Sequence, residues 1–122
     1  MKRLLISVLA AALILSGTAL GARRVGSVCA ELGDAVAAVR TSAGLLREDH
    51  YERLQALWER RSGLLYAWFP HGEVDALAET IARMGLRLEY RDDSGLADAC
   101  EKALGRIERL SDAEKISFGN VF

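Results

Sequence analysis

Trp68-Phe-Pro-His-Gly-Glu-Val-Asp75, WFPHGEVD, holds the chain's only proline and one of its two histidines, and its reading decides how the chain is divided. Two carboxylates follow the histidine at alternating positions, so the stretch can be taken as a ligand cluster or as the boundary between two helices. On a helix His71 and Asp75 stand four residues apart and share a face, whereas Glu73 is turned about 200° from His71. One helical turn therefore cannot gather the three around a metal ion. Pro70 removes a backbone amide and crowds the turn before it, and carboxylates in the turn after it complement the positive end of a helix. The stretch reads as a stop and a restart, with Asp75 placed to orient His71.

On either side of that boundary the apolar residues recur at three- and four-residue steps, and no strand alternation is present. Before it, Leu54, Leu57/Trp58, Leu64/Leu65 and Trp68/Phe69 form one seam. Asp49 and Glu52 make a capping-box pattern at its start. After it come Val74, Leu77/Ala78, Ile81, Met84/Gly85 and Leu88, as far as the turn-rich Arg91-Asp-Asp-Ser-Gly95. A further helix carries Leu96, Ala99/Cys100, Ala103/Leu104, Ile107 and Leu110. Ser111 to Glu114 is a second capping-box pattern, predicting a short separate helical turn that ends near Gly119, with the apolar tail Ser117 to Phe122 docked on the bundle. Upstream, Val25, Val28/Cys29, Leu32, Val36, Val39, Ala43 and Leu46 predict a helix of about six turns. Any bend in it is expected at Gly21 or Gly26. The connections are a few residues long, so neighbouring helices run in opposite directions.

Residues 4–22, LLISVLAAALILSGTALGA, carry no charge and are flanked by Lys2-Arg3 and Arg23-Arg24. Nineteen helical residues approach the roughly 30 Å hydrocarbon thickness of a bilayer. A small domain cannot surround a helix that is apolar on every side, so residues 1–22 read as a membrane segment and residues 23–122 as the helical domain. Ala19-Leu-Gly21 also offers small residues for cleavage before Ala22, as in a signal peptide. The length of the run, the lack of a polar segment behind it and the paired arginines favour a retained single-pass anchor. We place the N-terminus inside and the domain outside the cell membrane.

The remaining charge excludes some partners. Without Lys2 and Arg3 the domain holds 14 of the 16 basic residues against all 17 acidic ones, a net of −3. Basic residues alternate with acids and form no stripe interleaved with aromatics, which argues against nucleic acid. No Gly-rich phosphate loop, nucleophile elbow, C-x-x-C or H-E-x-x-H pattern occurs. The sequence thus points to no catalytic residue, no cofactor and no metal, with His71 and Asp75 as the alternative metal ligands. Trp58 and Trp68, about 80° apart on a helix, are expected in the core. Cys29 and Cys100 fall on apolar seams at different heights, and so are expected as buried thiols rather than a disulfide.

Trp58, a thirteen-residue step to His71, the run His71-x-Glu73-Val74-Asp75, the apolar helix through Ile81 and Met84, and a terminal Asn120-Val121-Phe122 resemble the DUF4363 family of short bacterial proteins. The resemblance implies a membrane segment followed by a helical domain in which Trp58, His71, Glu73, Asp75 and Asn120 serve as structural positions, and the apolar seam adds Trp68 to that group. It supplies no activity. The whole reading is an all-α protein: an N-terminal transmembrane helix, then a small antiparallel four-helix bundle with a short C-terminal helical turn. Its expected role is a non-enzymatic interaction or structural module outside the membrane, with a protein partner or self-association. The alternative is a small-ligand or metal sensor built around Trp68 and His71.

Overall fold

The computed structural model describes the backbone of residues 2–121 and the side chains of residues 2–13 and 23–114. The described residues form four helices and no strand: α1 Lys2–Thr41, α2 Gly44–Trp68, α3 His71–Glu89 and α4 Asp93–Val121. The all-α bundle expected from periodicity is present. α1 packs against both α2 and α4, α3 packs against α4, and the α2 to α3 side is the looser seam. Ion pairs between long side chains mark the opposed directions: Arg40 to Glu101 at 3.0 Å joins α1 to α4, and Arg61 to Glu31 at 3.6 Å joins α1 to α2. These pairs are half-exposed, so they report register more than they supply stability.

The core follows the seams residue by residue. Val25, Val28, Cys29, Leu32, Val36 and Val39 of α1 are buried, as are Leu54 and Leu65 of α2, Val74, Leu77, Ile81 and Met84 of α3, and Leu96, Cys100, Ala103, Ile107 and Leu110 of α4. Each fully buried leucine or valine contributes about 1.5–3 kcal/mol of transfer free energy. Tyr51 joins them from α2, and its hydroxyl donates to the Ile81 carbonyl at 2.8 Å. The ring fits because residue 85 is glycine: a Cβ there would lie 2.8 Å from the Tyr51 Cζ. That approach is closer than packed carbon atoms tolerate.

Two boundaries differ from expectation. The first reversal comes at Ser42-Ala43, not at Asp49, so Ala43 and Leu46 are exposed and Asp49 lies inside α2. Gly44 makes the early reversal with a φ of +64°, a left-handed conformation open to glycine at little cost. At the other end α4 runs through Ser111 without a break, and no separate C-terminal turn forms there. Its inward spacing simply continues from Ile107 and Leu110 to Glu114, which is buried. α1, by contrast, continues from the uncharged run into the bundle as one helix, Lys2–Thr41. The expected docking of Phe118, Val121 and Phe122, and the contacts of Asn120, concern side chains outside the described residues.

Pro70 behaves as its chemistry requires. α2 ends at Trp68 with Phe69 extended at φ −115° and ψ 162°, and α3 begins at His71. The break between α3 and α4 also falls where the turn residues predicted it. Among the described residues no helix is long and apolar enough to cross a membrane.

Candidate functional site

The α2 to α3 turn brings together part of the group singled out in the sequence. Asp75 does not take up His71 as a partner; its Oδ1 accepts a hydrogen bond from the Tyr66 hydroxyl at 2.5 Å. The Tyr66 ring in turn meets His71 edge to face, with centroids 5.3 Å apart and planes at 74°. Tyr66 therefore bridges the two residues expected to bond directly, because a tyrosine from the preceding helix reaches Asp75 across the turn. Its hydrogen bond to the carboxylate favours the neutral phenol and raises the Tyr66 pKa. Nothing in the spacing of Tyr66 marked this contact, since its partner lies across a proline-made reversal.

The other members of the group disperse. Trp58 is half-buried against the core, as expected. Trp68, the last residue of α2, is 37% exposed, contrary to the core position expected for it, while Leu65 and Phe69 on either side of it are buried. Glu73 is turned away from His71 and borders a hollow of about 60 Å³ with Arg106 and Arg109. That space is far below the roughly 300 Å³ at which small-molecule sites begin. Among the described residues no three His, Cys, Asp or Glu side chains converge as a metal site.

The opposite end of the bundle, formed by the α1 to α2 and α3 to α4 turns, holds the residues that spacing missed. Arg47 closes the C-terminus of α1: its Nε donates to the Ser42 carbonyl at 2.7 Å and a terminal nitrogen to the Arg40 carbonyl at 3.4 Å. A second terminal nitrogen pairs with Asp93 at the start of α4, at 3.2 Å. A guanidinium at this position satisfies carbonyls that the helix leaves without partners and meets the negative end of its dipole. Across from it α3 ends in a Schellman motif, with the Asp92 amide donating to the Arg87 carbonyl at 2.9 Å and the Arg91 amide to the Leu88 carbonyl at 3.2 Å. Arg91 takes the left-handed position, φ 54°, usually given to glycine. Asp92 then caps α4 by accepting from the Gly95 amide at 3.0 Å.

This end is also where large apolar side chains face solvent. Leu45 is 80% and Tyr90 74% exposed, and Leu46, next to Leu45, and Leu86, one helical turn before Tyr90, are also exposed. A groove of about 390 Å³ opens between Leu45, Glu48, Leu88 and Arg91. Exposed apolar clusters with polar rims mark contact surfaces.

Both cysteines are buried and unbridged. Burial, with Glu114 nearby, pushes the Cys29 thiol up to about 11. Burial also raises Cys100, while Arg47 and Arg40 oppose the rise. Their different charged neighbours place them at different heights in the bundle, and neither has the electropositive, exposed setting of a reactive thiolate.

Comparison with family models, curated proteins and solved structures finds no match to this chain.

Proposed function

We propose that this chain is a membrane-anchored helical module that presents the far end of its bundle to a protein partner outside the membrane. The observation that carries the reading is the division of α1. Its C-terminal part is core, whereas Leu4, Leu5, Ile6, Val8, Leu9 and Leu13 are each more than half exposed on the same helix. An uncharged run of this length with an exposed apolar surface has its natural solvent in lipid. Anchoring through residues 4–22 then leaves the bundle outside and directs the end bearing Leu45 and Tyr90 away from the bilayer. The described side chains offer hydrophobic contact and helix-capping chemistry, which suits recognition or structure rather than catalysis.

Alkaline washing of membranes tests the anchor: the protein is expected in the pellet with its N-terminus intact. Soluble protein beginning at Ala22 would instead mark the run as a cleaved signal. A photo-crosslinking residue at Leu45 tests the surface, with a discrete adduct expected there and none from the same probe at Glu108 on the exposed side of α4. Equal labelling from both positions would remove the far end as a specific contact surface. The sensor reading draws on the Tyr66 to His71 contact, and it requires metal or ligand to change Trp68 emission in a saturable way.

A further inference from the structure

The end of the bundle nearest the uncharged run has a chemistry of its own. α1 is one helix from Lys2 to Thr41, so the axis of the bundle continues the axis of the apolar segment, and heights along it are read at 1.5 Å per residue. Two markers fix how far down α2 reaches. The short turn at residues 42–43 sets Gly44 level with Thr41, and the ion pair of 3.6 Å sets Arg61 near Glu31. Carried to the end of α2, the first marker places Trp68 level with about residue 17 and the second level with about residue 24. The uncharged run ends at Ala22. By either marker, Trp68 stands between roughly 3 Å above and 8 Å below the end of the run.

A bilayer's polar layer occupies roughly 5–8 Å on each side of its hydrocarbon core. Trp68 thus falls in or beside that layer. It is also the one tryptophan left exposed, while Trp58, ten residues higher on the same helix, is half-buried against the core. Exposed Arg23 and Arg24 follow the uncharged run on α1, level with Trp68 by the ion-pair marker, and exposed Pro70 and His71 complete the turn. An indole with basic side chains at the end of an apolar helix is the combination that settles at a membrane interface: the ring is amphipathic, and the cations reach phosphate.

We infer that the turn Trp68 to His71 is a second membrane contact, resting in the headgroup layer of the bilayer that α1 spans and holding the bundle against the membrane surface. The inference rests on the anchoring proposed above and adds a lipid-facing role for Trp68. A bundle held at two points cannot swing freely on α1, so the far end keeps a fixed height and direction.

Depth-dependent fluorescence quenching tests this on the full-length chain in vesicles of phosphatidylcholine and phosphatidylglycerol. Trp58→Phe leaves Trp68 as the reporter, Trp68→Phe leaves Trp58, and the unaltered chain is measured beside them to show that neither change disturbs the fold. With lipids brominated near the top of their acyl chains, Trp68 emission is expected to fall by about half, as for an interfacial indole. Trp58, some 15 Å higher along α2, is expected to be nearly unaffected. Flotation of the same vesicles separates the two ideas. If the chain floats but Trp68 is quenched no more than Trp58, the lipid contact is refuted and the anchor stands. If the chain does not float, both fall.

Discussion

The two ends of the bundle reverse the chain by different means. At the far end Arg47, the Schellman bonds of α3 and the Asp92 cap supply partners for helix-terminal groups, and two turns are tied to each other through Arg47 and Asp93. At the near end neither Phe69 nor Pro70 provides a side-chain cap. The reversal is made by proline's missing amide and fixed φ, and the side-chain bond from Tyr66 to Asp75 closes over it. A hydrogen-bonded end has fixed geometry and can present a surface, whereas a proline-made turn with an exposed indole depends less on directional bonds. The difference suits one end to a protein contact and the other to the less specific surface of a bilayer.

Removing Arg47 strikes this contrast hardest. Arg47→Ala is expected to cost about 2 kcal/mol, the scale of charge-assisted hydrogen bonds to helix carbonyls that then lose their partner. The exposed half of its contact with Asp93 adds little. Chemical denaturation checks it, and a loss below about 0.5 kcal/mol, the range of ordinary surface changes, would mean that the far end is held by packing alone. Arg91→Gly sharpens the same point with a smaller effect of opposite sign. Relief of the left-handed arginine outweighs the added freedom of the unfolded chain, for a net gain of about 0.5–1 kcal/mol. Thermal melting should therefore move upward. A drop would show that the arginine side chain contributes more than its backbone conformation costs.

The near end should respond least to substitution, and mainly through pH. Because folding raises the Tyr66 pKa, by its hydrogen bond to Asp75 first, the folded state favours the neutral phenol. Its contribution to stability is complete below the ordinary tyrosine value near 10 and is lost as pH rises through the higher value of Tyr66. Tyr66→Phe should leave the neutral-pH melting point nearly unchanged and remove one late-titrating phenol from the alkaline absorbance curve. Tyr51, raised chiefly by burial, remains as the other. A large loss of stability at neutral pH would break the comparison, because the near end would then rely on a directional bond as much as the far end does.

The sequence alone determined the helices as objects: four apolar seams, a stop at Pro70, a break within Arg91 to Gly95, and an uncharged run ahead of the first core valine. These are legible because periodicity, a missing amide and an absence of charge belong to a single segment and need no partner. Tertiary structure decided where α1 gives way to α2, because the reversal at Gly44 must place two seams face to face, and the Asp49 pattern has no say once residue 44 has turned. It decided that Tyr51 is enclosed and Trp68 is not, since Gly85 makes room for one ring and the other lies at the end of its helix. It carried α4 past Ser111, with Glu114 on the inward face. It also gave Asp75 to Tyr66, because a side chain's partner is set by the height and rotation of the neighbouring helix, and no spacing within one helix records those quantities.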